Sequence, residues 1–270
     1  MASSDPITLN VATLSTGVSL QYAEHGDRDG HPVVLLHGFT DSWFSFSRIL
    51  PDLPDSWRAF AVSQRGHGDS ERPAAGYGMP DLAGDAVAFL DAMRLPPVTL
   101  VGHSMGSLVA MQVALDAPER IDKLVLLGSA ANMRSEEVNG LVREIAALGD
   151  HVPPEFARGF QESTIHHPVP PEFLERVVEE SLKVPARVWR AAAAGQLAAD
   201  YTNALGRITV PVLLLRGDHD TLFPEAAREA LGTRLPNATL KIYRDTGHAL
   251  HWERPAEFVR DLRAFIGSGS

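Results

Sequence analysis

At 270 residues, 44% hydrophobic and 21% charged, the chain has the balance of a soluble globular protein with ample capacity for a core. Lys and Arg number 24 against 34 Asp and Glu, a net charge of −10, and no long basic cluster occurs, so nucleic acid is excluded as an expected partner. The absence of cysteine removes disulfides, thiolate metal ligands and a cysteine nucleophile together. Residues 1–20 show no basic start followed by an apolar block, and no apolar run reaches membrane-spanning length. A cytoplasmic protein with no membrane partner is the expectation. The polar or small-residue ends, 1–5 and 267–270, are expected to fray.

In chain order, the alternating stretches 7–14 and 18–24 predict an antiparallel pair of strands. Uninterrupted apolar runs at 33–36, 59–62, 98–101, 124–127 and 212–215 predict strands of a parallel sheet covered on both faces, and 240–243 predicts a last strand. Helical spacing marks 81–93, 104–116, 224–231 and 255–266, with Pro255 suited to a first helical turn. Alternating strands and helices predict a doubly wound, mostly parallel α/β sheet. From 132 to 207 only helical patterns occur, including 172–183 and 186–199, punctuated by Pro153-Pro154, Pro168 and Pro170-Pro171. The expected organisation is therefore a core of 1–131 and 208–270, with 132–207 as a helical cap over the carboxyl ends of the strands.

Gly102-His103-Ser104-Met105-Gly106 is the most informative segment, because a strand precedes it and a helix follows it. A sharp strand-to-helix turn strains its central residue and pushes that side chain into a cleft, and its neighbours two positions away must be small. An alcohol is a poor nucleophile at neutral pH; it needs a base, a group orienting the base, and donors for the oxyanion. His248, in a Gly-His turn beyond the last strand, is the candidate base, with His251 in reserve. The orienting acid comes from Arg216-Gly217-Asp218-His219-Asp220, where the residues alone leave Asp218 and Asp220 in competition. Adjacent His166 and His167 lack a nearby acidic partner in the sequence and are read as solvated rather than metal-binding.

Strand, glycine-flanked serine, helix, then Asp and His in that order resemble the α/β-hydrolase fold family, in its capped, single-domain esterase-like members. The resemblance runs from about Ile7 to Ile266 and rests on several motifs together: His37-Gly38-Phe39, Arg65-Gly66-His67-Gly68-Asp69-Ser70, the serine turn, Gly217-x-x-Asp220 and Gly247-His248. It implies Ser104 as nucleophile, His248 as base, Asp220 rather than Asp218 as acid, and the backbone N–H groups of Phe39 and Met105 as oxyanion donors. A helix N-terminus independently suits Met105 to that task. His37, His67 and His103 are read as structural.

This chain departs from the family at Thr40, where Pro is frequent, and at Ser63, where an aspartate is common. It also lacks the His-Gly-Gly-Gly form of the oxyanion loop. Serine rather than aspartate at the elbow implies acyl transfer: a cofactor-free, metal-free serine hydrolase of carboxylic esters or lactones. The expected substrate is an apolar small molecule with a medium-sized acyl or aryl group; Phe39, Trp43, Met105, Leu222 and Phe223 lie on loops flanking the chemistry, and Trp43, Phe160 and Trp189 are read as core. Carbon–carbon bond hydrolysis, perhydrolysis, and a slow or non-catalytic ligand receptor use the same fold and stand as alternatives. Nothing in the sequence specifies an oligomeric state.

Overall fold

The computed structural model describes residues 7–223 and 225–267; Pro224 and the ends 1–6 and 268–270 lie outside it, so the expectation of frayed ends falls almost wholly beyond the described residues. Eight strands form one sheet: β1 (Thr8–Thr13), β2 (Ser19–Gly26), β3 (His31–Leu36), β4 (Trp57–Val62), β5 (Val98–His103), β6 (Ile121–Leu127), β7 (Val212–Gly217) and β8 (Ala238–Tyr243). Their order is β1-β2-β4-β3-β5-β6-β7-β8. β2 runs antiparallel to β1 and β4, and the rest of the sheet is parallel. This is the doubly wound, mostly parallel sheet expected from the alternation of elements.

The apolar runs at the centre of the sheet are buried on both sides because successive side chains enter different cores. Val34, Leu36, Leu100, Leu124, Leu126 and Leu214 pack into one core. It is shared with α1 (Met79–Ala92) and α2 (Met105–Asp116), through Phe89 and Leu108. Their neighbours Val33, Leu35, Val101, Val125, Leu127 and Leu213 face the other, against Phe258 and Leu262 of the C-terminal helix. The rims are less covered: Leu9 and Val11 of β1, and Leu240 and Ile242 of β8, remain exposed.

Between β6 and β7 the chain leaves the sheet as four helices: α3 (Glu136–Ala146), α4 (Pro154–Glu162), α5 (Pro171–Leu182) and α6 (Ala186–Ala198). Proline at the first position opens α4 and α5, where its missing N–H costs nothing. The base of the excursion is tied by an antiparallel bridge between Asn132 and Asp200, and by the Tyr201 N–H donating to the Ala131 carbonyl at 2.8 Å. After β7 come α7 (Glu225–Arg234), β8, a short α8 (Leu250–Glu253) and α9 (Pro255–Gly267). Among the described residues no helix is long and apolar enough to cross a membrane.

Candidate active site

Ser104 stands between the last residue of β5 and the first of α2, at φ 52° and ψ −116°. A non-glycine residue there costs about 1–3 kcal/mol, so the surrounding structure must enforce it. It does so by close packing. A Cβ on Gly102 would lie 2.3 Å from the Gly106 carbonyl oxygen, and one on Gly106 would lie 2.2 Å from that of Leu36. The Ser104 N–H donates to the Leu127 carbonyl at 3.0 Å, and its own carbonyl accepts from Ser107 Oγ at 2.6 Å. The turn thus presents the hydroxyl where β5 ends and α2 begins. Met105 is the first residue of α2, and its N–H emerges at the helix N-terminus with no carbonyl of the same helix to receive it.

His248 follows β8, and its Nδ1–H donates to Asp220 Oδ2 at 2.9 Å, with both side chains buried. The second Asp220 oxygen accepts the Leu222 N–H at 3.1 Å, and its carbonyl accepts from Arg228. Burial opposes charge on this carboxyl, but His248, the Leu222 N–H and Arg228 outweigh it and hold the acid below the usual carboxylate range. His248 Nε2 is buried without a hydrogen-bond partner, so its contact with Ser104 Oγ is not made in this state. Catalytic hydrogen bonds are often open before substrate binds. Asp218 points elsewhere: its Oδ1 receives the Thr246 N–H at 3.3 Å and so braces the loop that carries His248.

The other histidines occupy separate posts. His37 donates from Nδ1 to the Gly38 carbonyl at 2.7 Å and accepts the Gln64 N–H on Nε2 at 2.9 Å, which fixes its tautomer and uses both nitrogens. His67 closes its own turn through the Arg65 carbonyl at 2.8 Å. His103 packs against His248, ring centroids 5.0 Å apart. His251, the reserve base, faces away to Ser45 Oγ at 3.1 Å and lies beside Phe46.

A cavity of about 150 Å³ opens over Ser104. Its walls are almost wholly apolar, from Phe39, Leu222 and Phe223 on core loops and Val138, Leu141 and Phe160 on α3 and α4. Phe160 packs against the core, as its sequence context implied, and also forms part of this wall: it meets the Phe39 ring edge-on at 5.5 Å. Trp189 is fully buried behind the same ring, and Trp43 packs into the core on the opposite side of the sheet. Met105 is buried and does not border the cavity.

Residues 31–255 match a family described as having the alpha/beta hydrolase fold. The chain belongs to the α/β-hydrolase family. This α/β hydrolase is 31% identical over 280 residues to a non-heme chloroperoxidase of Streptomyces lividans, a match covering 96% of this chain and 100% of the relative. It is 33% identical over 260 residues to a provisionally named carbamate hydrolase, RutD, of Variovorax paradoxus (strain S110), covering 92% and 96% of the two chains. Among solved structures, the esterase RhEst1 from Rhodococcus sp. ECU1013 aligns with a TM-score of 0.83 at 27% identity, over 97% of this chain and 99% of that one. The chain is a serine hydrolase of this fold.

Around the α/β hydrolase's elbow lie further residues, most of which the sequence did not single out. Gly128, at φ 48°, leaves room for the imidazole; a Cβ there would sit 2.8 Å from His248 Nδ1. Gln161 of α4 donates from Nε2 to Ser181 Oγ at 2.7 Å, Asp41 Oδ1 at 3.0 Å and Thr40 Oγ1 at 3.3 Å. The loop after Phe39 is thereby tied to the helical excursion. Thr40 has φ 63°, a value closed to proline, so its side chain does the anchoring that a ring would do in a different loop. Gly128 and Gln161 carry no local motif and are recognisable only once distant segments meet, whereas Thr40 stood out in the sequence only as a departure from the family pattern.

Proposed function

We propose that this enzyme hydrolyses small apolar carboxylic esters, and lactones by the same steps, through an acyl-enzyme on Ser104. The observation that carries the reading is the buried Asp220–His248 hydrogen bond, which leaves Nε2 as the free acceptor on an imidazole beside the serine turn. His248 Nε2 takes the Ser104 hydroxyl proton as Oγ attacks the carbonyl carbon. The oxyanion forms against the Phe39 and Met105 N–H groups, the second of them at the positive end of α2. Collapse expels the alcohol, which receives the proton from His248. A water, deprotonated by the same nitrogen, then attacks the acyl-enzyme; Ser104 Oγ leaves and takes that proton back from His248, and the carboxylic acid is released.

Asp220 holds the Nδ1–H tautomer and stabilises the imidazolium at each transfer. The helices at 132–207 act in this reading as a cap whose inner face supplies most of the substrate wall. An apolar cavity of about 150 Å³ accommodates a group about the size of benzene, which favours short acyl chains or a single aryl ring. The chloroperoxidase relative favours a second reading on the same residues, with hydrogen peroxide replacing water as the acyl acceptor.

p-Nitrophenyl acetate and butyrate test the proposal. The wild type should show a burst of nitrophenol followed by steady turnover, and Ser104→Ala should lower kcat by about 10⁴-fold or more. Turnover that survives in Ser104→Ala would overturn it. Peracid formed from acetate and peroxide, without ester turnover, would select the second reading.

A further inference from the structure

Outside the cavity, three segments far apart in sequence bring imidazoles and a carboxylate to one surface point. His166 and His167 lie in the turn between α4 and α5, His219 in the loop after β7, and Asp245 in the loop after β8. Among the described residues, His166, His219 and Asp245 form a group whose ligand atoms all lie within 4.8 Å of one another. His166 Nε2 is 3.2 Å from Asp245 Oδ1, and His219 Nε2 is 4.0 Å from the same oxygen. The His166 and His219 rings stack with centroids 3.8 Å apart. His167 Nε2 meets the other carboxylate oxygen at 2.7 Å. The acidic partner that the sequence around His166 and His167 lacks is therefore supplied by Asp245, 78 positions downstream of His167.

We propose that these side chains bind a divalent transition metal of the zinc class, with His166, His219 and Asp245 as ligands. Two imidazoles and a carboxylate suit such an ion and are a poor set for calcium or magnesium, which prefer all-oxygen sites. Tetrahedral zinc, with metal–ligand bonds of about 2.0–2.1 Å, sets neighbouring ligand atoms roughly 3.3 Å apart, so closure takes about an ångström of movement. The side chains are free to make it, being exposed or half-exposed, while the backbone beneath them is fixed. Glu253 receives the N–H groups of His166 at 3.2 Å, His167 at 2.9 Å and Gly247 at 2.8 Å. One carboxylate thus holds the histidine turn to the loop that leads to His248. His167, bonded to the second Asp245 oxygen, orients the liganding carboxylate. The nearest competing cation is Arg254, whose Nη2 is 3.9 Å from Asp245 Oδ2.

The position gives the ion a role distinct from hydrolysis. His219 adjoins Asp220, Asp245 lies three residues before His248, and His166 belongs to the helical excursion. A bound ion would staple all three segments together and oppose their separation on unfolding. Equilibrium dialysis of tag-free, chelator-treated protein against zinc sulfate, with thermal melts on the same samples, tests this without reference to any ester. One zinc per chain with micromolar affinity and a rise in Tm of about 5 °C near saturation are expected. His166→Ala and His219→Ala should each weaken binding at least tenfold while melting like the metal-free wild type. Absence of stoichiometric zinc from the wild type, or affinity unchanged in His166→Ala, would overturn the proposal. If that variant failed to fold, the same comparison on His219→Ala would decide it.

Discussion

Asp218 and Asp220 stand two residues apart in one loop, yet their carboxylates do different work. Asp220 is buried and accepts the imidazole N–H, whereas Asp218 is partly exposed and accepts a backbone N–H from Thr246. Asp220→Asn offers one carbonyl to two donors, Leu222 N–H and His248 Nδ1–H, and its amide favours the wrong imidazole tautomer. kcat should fall by about 10³–10⁴-fold in that variant. Asp218→Asn keeps an oxygen for Thr246 and should change kcat by no more than a few fold. Steady-state rates on one chromogenic ester check the pair, and equal losses would refute the division of labour. The positions of Ser104 at a strand-to-helix turn and of His248 just past the last strand were legible in the sequence, because glycines beside a strand end mark both. The choice between the aspartates was not, because spacing along a flexible loop does not say which carboxylate turns inward; only the family pattern favoured Asp220. Gly128 and Asp245 gave no signal at all, since each matters through a contact with a segment far along the chain.

At the scale of elements, the central strands were readable because both of their faces are buried and their apolar runs are unbroken. The order β2-β4-β3 was not, since every parallel run looks alike until its neighbours are known. Helices of the excursion were recognisable from spacing, but not the face of α4 that turns Phe160 to the cavity and Gln161 to the loop after β3. That loop contains a buried acid: loss of solvent pushes the Asp41 carboxyl up to about 7, against the hydrogen bonds from Gln161 and Ser45. Gln161 is a positioning residue in this view, acting on the Phe39 N–H through Thr40 and Asp41. Gln161→Leu leaves Asp41 Oδ1 without its side-chain donor and should destabilise the fold by about 1–3 kcal/mol. It should also lower kcat with little change in KM, because the oxyanion donor matters most in the transition state. Loss of stability with an unchanged kcat would leave Gln161 a purely structural tie.

For the whole molecule, buried histidines set the behaviour in acid. His37, His67, His103 and His251 are all buried and held neutral. Burial drives His67 down to about 4 and His251 to about 3, with His248 adding to the effect on His251. It takes His37 and His103 well below the ordinary range, helped by the neighbouring His67 and His251. The folded values lie below the unfolded one of about 6.5, so this contribution to stability is full above that pH and is lost as pH falls toward the folded values. At pH 5 His67 and His251 each cost about 2 kcal/mol, and His37 and His103 act in the same direction.

Asp41 runs the opposite way. Its raised value favours the folded state in acid and loses that advantage as pH rises through about 7, which returns roughly 3 kcal/mol at pH 5. Four buried imidazoles act against this one carboxyl, so the balance is a net loss of stability between about pH 7.5 and 5. Urea unfolding followed by tryptophan fluorescence at stepped pH should show the midpoint falling steeply across that interval. His67→Gln, which keeps a donor for the Arg65 carbonyl without a group to protonate, should flatten the fall by about 2 kcal/mol at pH 5. A midpoint that stays level from about pH 7.5 to 5 would mean that these imidazoles take up protons as readily in the folded protein as in the unfolded one, against the burial that surrounds them.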